Sequence, residues 1–347
     1  MAPIAARKPR AVVVGSLNLD EVFVVPHIAA EGETLSAAEY TVQAGGKGAR
    51  TPRMEADGVR VGRVVVSENE HTGRAIIQLS ASTRDNAIVL FPAANHRLSM
   101  SDVKDAVLGE AGQPGDWLVL QNEVRFSEED GGPRAFHDLI KLAKEKGALP
   151  PLPCKMPVFA VLWSARRVPR MLTAPGLRRR AKKDDVSRIY PLESVDVLLL
   201  NAHEARGLAG EGWSGAQAAT PVQLLATICT KIPSVRLVVM TLGAEGVVAR
   251  WRSGSGEYED THLPAAKLLR PVVDTTGAGD TFAGYLIAGL MRTVDGDGSR
   301  PVNFQVDNAL REAVVAAAMA CETHGAMAGV PTFAEVSQRI IDLRDKK

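Results

Sequence analysis

Asp274-Thr-Thr-Gly-Ala-Gly-Asp280-Thr-Phe-Ala-Gly-Tyr-Leu-Ile-Ala-Gly-Leu290 is the stretch from which the rest of the chain can be read. Its first half reads as a turn. Gly277 and Gly279 allow backbone conformations and close approaches that a Cβ would block. From Thr281 the pattern predicts a helix, because Phe282, Tyr285, Leu286, Gly289 and Leu290 recur at three-to-four spacing. A glycine turn entering a helix aims several unbonded N–H groups at one point, and the helix dipole adds positive potential there. Such a point binds anions, most often phosphate. Asp280 sits at its mouth. As a helix cap it would be ordinary. As a carboxylate facing a bound anion, it suits a base that takes the proton from a hydroxyl attacking a phosphoryl group.

Composition narrows the setting. The chain has 347 residues, 46% hydrophobic and 23% charged, which is globular and long enough for a sizeable core. A net charge of +1 gives no global reason to expect nucleic acid or a membrane surface as partner. Cys154, Cys229 and Cys321 are scattered, which implies neither a disulfide framework nor a metal cluster and suits a reducing compartment. No apolar run is long enough to span a bilayer. Residues 1–10 carry Arg7, Lys8 and Arg10 without an apolar core and read as a flexible tail. The cytoplasm is the expected location, with the nucleus as the alternative.

Working outward, Ala11-Val-Val-Val-Gly-Ser-Leu-Asn-Leu-Asp20 predicts a buried strand running into a turn. Asn18 and Asp20 follow it, where open α/β sheets place ligands. An amide beside a carboxylate suits a polyol, whose hydroxyls both donate and accept. Taken alone, Asp20 is equally an ordinary turn residue. In Ala44-Gly-Gly-Lys-Gly-Ala49, Gly45, Gly46 and Gly48 bring backbone close to something small, and Lys47 either neutralises it or faces solvent. Strands are expected at Val64–Val66, His71–Leu79, Asn86–Phe91 and Asp116–Glu123, and helices at Ser101–Gly109 and Pro133–Gly147. Further on, Ser194–Asn201 reads as a strand ending in Asn201-Ala-His-Glu204. One helical turn separates Asn201 and Glu204, so both can face one site. Arg236–Met240 is a strand ending in Thr241-Leu-Gly-Ala-Glu-Gly246, and Val247–Trp251 an outer strand. Helices are expected at Val306–Ala320 and Pro331–Leu343.

These strings, in this order, resemble the ribokinase family of ATP-dependent sugar kinases, also called the PfkB carbohydrate kinases. The resemblance covers roughly residues 11–50, 59–147 and 190–340. It implies an α/β fold, a three-layer α/β/α sandwich with a mostly parallel central sheet and a small β-sheet lid. Residues 11–347 would form this one domain, with the lid from about 21–44 and 71–92. It implies Asp280 as catalytic base, and the amides of Gly277, Ala278 and Gly279 around the transferring phosphoryl group. Asn18, Asp20, Gly46, Lys47 and Glu123 would contact sugar, a set that favours ribose; Glu123 alone would read as surface charge. Asn201, Thr241, Gly243, Gly246 and Gly279 would contact ATP. Glu204 would place Mg²⁺ through water. Asp274 and Thr276, with oxygens near Ala320, Thr323 and Gly325, would form a K⁺ site. The expected partners are a small sugar and ATP, with no nucleic acid and no membrane, and a homodimer through the lid is an open expectation.

Two stretches depart from the family's pattern. Where the family has an asparagine opening a long helix, this chain has Arg50, then Thr51 and Pro52. About a helix and a strand's worth of chain is missing there, which should remove a layer packed against the central sheet. Residues 150–183 hold nine Lys or Arg, no acid and six prolines. They read as an irregular basic insert in which the family's strand is not legible, and clustered prolines with few aromatics disfavour a nucleic-acid surface. Both departures keep rival readings open: another sugar or nucleoside kinase of the family, or a catalytically impaired remnant that binds nucleotide. A dinucleotide-dependent dehydrogenase is disfavoured, because no G-x-G-x-x-G follows the first strand.

Overall fold

The computed structural model describes residues 10–45, 58–105, 107, 116–121, 123–132, 134–146, 158–161, 192–209, 219–253, 255–292, 306–325 and 327–344. In chain order the elements are β1 (Ala11–Val14), β2 (Asn18–Val25), β3 (Glu39–Gly45), β4 (Gly73–Ser80), β5 (Asn86–Phe91), α1 (Met100–Asp105), β6 (Trp117–Gln121), α2 (Arg134–Lys146), β7 (Val158–Val161), β8 (Val197–Asn201), α3 (Ala202–Ala209), α4 (Pro221–Lys231), β9 (Leu237–Thr241), β10 (Val247–Arg252), β11 (Tyr258–Leu263), α5 (Ala278–Arg292), α6 (Val306–Cys321) and α7 (Phe333–Arg344).

The central sheet runs β1-β6-β7-β8-β9-β10-β11. The first five strands are parallel, and β10 and β11 close one edge antiparallel. Parallel strands must be joined by crossovers, which cover both faces of the sheet and demand apolar residues on both. Trp117-Leu-Val-Leu-Gln121 meets that demand, with every residue of β6 buried. Alternate side chains feed two separate cores. Leu118, Leu120, Leu198, Leu200, Val238 and Met240 meet Phe136, Leu139 and Ile140 of α2 and Leu224, Leu225 and Ile228 of α4. Trp117, Val119, Val197, Leu199, Leu237 and Val239 meet Phe282, Leu286 and Leu290 of α5 and Ala309, Leu310 and Ala313 of α6. Helices α5 and α6 cross closely: a Cβ on Gly289 would come within 2.7 Å of the Ala309 Cβ. The expected sandwich with a mostly parallel sheet is what forms.

A second sheet, ordered β3-β2-β4-β5, stands apart from the first. Its middle strands β2 and β4 are parallel, and its outer strands are antiparallel to them. Side-chain alternation sorts its faces. Val22, Ala75, Ile77 and Leu79 form a small buried core on the inner face, beside Asn18 and Asp20. The outer face exposes Leu19, Tyr40, Val42, Ile76, Val89 and Phe91. One polar group interrupts it: Glu21 accepts from Arg74 Nε at 2.6 Å and from the Tyr40 hydroxyl at 3.0 Å.

Several expectations need correction. The helix expected from Thr281 begins at Ala278, so Asp280 lies inside its first turn. First-turn N–H groups have no helical partner to lose, so glycines there cost little. Val64–Val66 forms no strand; Val65 and Val66 are exposed. Val158–Val161, inside the stretch read as irregular, is a strand at the middle of the sheet, between β6 and β8. A four-residue run of Val-Phe-Ala-Val is too short to show a period, and its role comes from its neighbours. Two elements went unread. Helix α4 opens on a capping box in which Thr220 and Gln223 bond each other's backbone N–H, with Pro221 in the first turn. Strand β11 covers the outer edge of β10. Arg50 and Pro52 lie outside the described residues. Among those described, β1 pairs only with β6, and Val13, on the face of Val119, stays 49% exposed.

A buried ion pair ties the last helix to this frame. Glu322 is 8% exposed; it accepts from Leu269 N at 2.7 Å and from both Arg339 terminal nitrogens at 3.1 and 2.9 Å. Burial pushes the Glu322 carboxyl up, but the Arg339 and Leu269 hydrogen bonds more than offset it and hold it below its ordinary 4.5. A depressed carboxylate stabilises the fold above its unfolded value and loses that contribution as pH falls through the folded value. Glu322→Gln should therefore lower stability by about 2 kcal/mol at pH 7. In urea melts the gap between variant and parent should narrow below about pH 4.5; a gap independent of pH would contradict this.

Candidate active site

Parallel strands bring their C-terminal ends to one edge of a sheet, and ligands bind there. Here β1 ends before Ser16 to Asn18, β6 before Glu123, β8 at Asn201 and β9 at Thr241. Asn201 and Thr241 are direct neighbours in register. The phosphate turn reaches the same edge by its own hydrogen bonds. Val273 and Asp274 donate their N–H groups to Cys321 O at 2.8 and 3.3 Å. Asp274, 3% exposed, accepts from Thr276 N at 2.8 Å and from Gly325 N at 3.1 Å. One carboxylate thus holds two loops together. Gly277 takes φ +79°, a left-handed conformation that favours glycine, and Ala278 and Gly279 then open α5 with Asp280 in its first turn. The local sequence supplies the turn, the helix-start amides and the carboxylate within four residues, and Ala278 N–H donates to Thr275 O at 3.3 Å.

On the sugar side the first turn is held from three directions. Ser16 N–H donates to Gln121 Oε1 at 2.7 Å, and Ser16 Oγ donates to Glu123 Oε2 at 2.7 Å. Leu17 N–H donates to Asn95 Oδ1 at 2.8 Å. Asn95 Nδ2 donates to Leu17 O and to Asn18 Oδ1, both at 2.9 Å. Asn18 and Asp20 are buried, at 7% and 6% exposure, on the inner face of the small sheet. Neighbouring strands leave them room by carrying no side chain. A Cβ on Gly45 would overlap the Asp20 carboxylate, and a Cβ on Gly73 would overlap the amides of Asn95 and Asn18. Gly46 and Lys47 lie outside the described residues. Asn95, Gln121 and Ser16 were not singled out as site residues from sequence. Their partners lie about a hundred residues away or nearly so, and only long-range contacts reveal them.

The small sheet closes on the phosphate turn. Asn86 Nδ2 donates to Thr275 Oγ1, and Thr275 Oγ1 lies within reach of Arg84 O, both at 3.4 Å. Gln43, paired with Asp20 across the sheet, reaches the second loop: a Cβ on Gly325 would sit 2.6 Å from its Oε1. The sugar motifs and the phosphate motifs therefore share one mouth.

On the nucleotide side the structure adds a role that spacing alone did not suggest. Asn201 N–H donates to Glu204 Oε2 at 2.7 Å, and Glu204 N–H donates to Asn201 Oδ1 at 2.9 Å. This is a reciprocal cap on α3. The signal was present in the sequence, since Asn followed three residues later by Glu is a helix-start pattern. The turn after β9 uses left-handed glycines at Gly243 and Gly246, with Leu242 N–H donating to Gly246 O at 2.8 Å. Thr241 Oγ1 reaches Leu200 O at 3.4 Å. In the loop after α6, Ala320 O accepts from Thr323 N at 3.2 Å, and Gly325 O accepts from Gly329 N at 2.9 Å. Thr276 Oγ1 is buried beside the Asp274 carboxylate with no hydrogen-bond partner among the described residues.

A mostly parallel sheet, a small second sheet and a glycine turn with its aspartate suit phosphoryl transfer, and comparison with known proteins agrees. The chain belongs to the pfkB family of carbohydrate kinases, whose profile matches residues 52–333. It is 28% identical to a ribokinase of Lactococcus lactis subsp. lactis, over 95% of this chain and 97% of that one. A ribokinase of Cryptococcus neoformans solved in complex with ADP superposes with a TM-score of 0.67 at 28% identity, covering 96% of this chain and 100% of that one. An Arabidopsis thaliana ribokinase complexed with ribose and ATP shares the fold, with a TM-score of 0.63 at 23% identity over 96% and 98% of the two chains.

The overlaps at Gly45 and Gly73 give a direct check of the sugar-side geometry. Gly45→Ala and Gly73→Ala should each cost about 1–3 kcal/mol by forcing Asp20 or the Asn18–Asn95 pair to move. Chemical denaturation measures the loss; parent-like stability in both variants would place those side chains elsewhere.

Proposed function

We propose that this protein is an ATP-dependent sugar kinase that phosphorylates the primary hydroxyl of D-ribose to give ribose 5-phosphate. One observation carries the reading: the small sheet that bears Asn18 and Asp20 also hydrogen-bonds Thr275, two residues before Gly277, through Asn86 and Arg84. The Lactococcus and Cryptococcus relatives, both ribokinases, support the substrate and the nucleotide.

In this reading Asn18, Asp20 and Glu123 hold the sugar, together with Gly46 and Lys47. The lid excludes water, which would otherwise compete as acceptor. Asp280 takes the proton of the attacking hydroxyl as the new oxygen–phosphorus bond forms and the bond to the ADP leaving oxygen breaks. Amides of Gly277, Ala278 and Gly279 stabilise charge on the transferring group. Asn201, Thr241, Gly243 and Gly246 face the nucleotide.

Among the described residues no cluster of three or more acids, histidines or cysteines could cage a metal. A lone Glu204 near phosphate fits Mg²⁺ that arrives on the nucleotide and keeps its waters. When bound, Mg²⁺ neutralises phosphate charge. The buried Asp274 carboxylate and the unpartnered Thr276 hydroxyl fit K⁺, with carbonyls of the 320–325 loop completing an oxygen set. The exposed apolar outer face of the lid fits a second copy of this chain, giving a homodimer.

A second reading, nucleotide binding without turnover, is favoured by the exposed Val13 at the sheet edge. Ribose-dependent ADP release with Mg²⁺ and K⁺ separates the two; an ADP-induced thermal shift without turnover selects the second. Asp280→Asn should lower kcat about a thousandfold while ribose KM stays within about threefold. Full turnover by that variant would sink Asp280 as the base. Light scattering should give twice the 37.0 kDa chain mass. Val42→Glu combined with Phe91→Glu should return a monomer, and an unchanged dimer would place the contact off the lid.

A further inference from the structure

The hydrogen bonds around Asn95 fix more than the shape of the first turn. A main-chain N–H can only donate and a main-chain carbonyl can only accept. Leu17 offers one of each to the same side chain: its N–H points at Asn95 Oδ1 and its carbonyl at Asn95 Nδ2. That pair leaves the Asn95 amide one orientation. Its second N–H then points at the Asn18 side chain, so the Asn18 atom facing it must be the acceptor, Oδ1. Asn95 cannot swing to release it. Its own N–H donates to Pro92 O at 2.9 Å, and its carbonyl accepts from Arg125 N at 2.8 Å. Ala93 in the same turn is held at φ +44°, an uncommon conformation for a residue with a Cβ. Gly73 gives the two amides the space in which they meet.

We infer that Asn95 is a positioning residue that sets the polarity of the sugar site: it holds Asn18 Oδ1 toward itself, so that Asn18 turns its N–H donors toward substrate. A carboxylate at Asp20 presents only acceptors. Two side chains on one face of the lid thus divide the work. Asn18 addresses a sugar oxygen as acceptor, and Asp20 addresses a sugar hydroxyl as donor. The site then requires an oxygen at the first position and a hydroxyl proton at the second, a demand that neither residue makes alone. This rests on the sugar-kinase reading above.

Asn95→Asp tests it. The carboxylate still accepts from Leu17 N–H but has no donor for Leu17 O or for Asn18, and Asn18 must turn its own NH₂ toward position 95 and its oxygen toward the sugar. Ribose KM should rise at least about tenfold, with kcat within about threefold and ATP KM unchanged. Adding Asn18→Ala to Asn95→Asp should cost less than about twofold more, because both changes remove the same contact. A merely structural role for Asn95 would move kcat and ATP KM as well and would add to Asn18→Ala; that outcome overturns the inference. If Asn95→Asp does not fold, Asn18→Asp carries the test. It keeps an acceptor toward Asn95 but gives the sugar an acceptor in place of a donor, so a ribose KM within twofold of the parent overturns the assignment. A parent chain that turns over no sugar removes the reading and the inference together, whereas an active parent with an indifferent Asn95→Asp removes the inference alone.

Discussion

The Asp274 carboxylate is the interaction on which the site depends. Its two oxygens bond Thr276 N–H and Gly325 N–H, which belong to loops 51 residues apart in the chain. The Cys321 carbonyl and the small sheet, through Thr275, hold the same turn from other sides. Preorganised donors are worth most when they need not rearrange during reaction. A buried carboxylate is costly to leave without partners, and here its partners are main-chain groups that fix the path of both loops. The same carboxylate lies beside the Cys321 thiol, which burial above all, with the Asp274 charge adding, pushes above its ordinary value. A raised thiol holds less of the reactive thiolate.

Much of this arrangement was legible in the sequence where the physics is local. The helix after Asp280 shows in its apolar spacing, and β6 shows in its unbroken apolar run. What was not legible depends on neighbours far along the chain. Val158–Val161 is a strand because β6 and β8 flank it, and no four-residue window carries that information. Asn95 carries no local signal, because its partners Leu17 and Asn18 lie 78 and 77 positions away. The start of α5 was placed three residues late for another reason: glycine disfavours helix interiors but is tolerated in the first turn. At Asn201 and Glu204 the local signal was present but admitted two meanings, and the structure shows the helix cap.

The cap makes Asn201 and Glu204 stabilise the start of α3. On the sugar side the glycines leave room instead. Gly45 and Gly73 are not turn residues here; they are gaps in β3 and β4 that Asp20, Asn18 and Asn95 fill. A strand loses stability with glycine in its interior. The lid carries that weakness in return for burying a polar cluster against its own backbone.

The contact between the lid turn and Thr275 has one more consequence. Arg84 and Asn86 touch the residue two positions before Gly277, so lid and phosphate turn are parts of a single network. Whatever free energy a sugar under the lid spends in steadying Thr275 lowers the ordering entropy left for the nucleotide to lose. Linkage makes that exchange symmetric: the factor by which one ligand tightens the other is the same in both directions. The two substrates of such a site are thermodynamic partners before any bond between them is made.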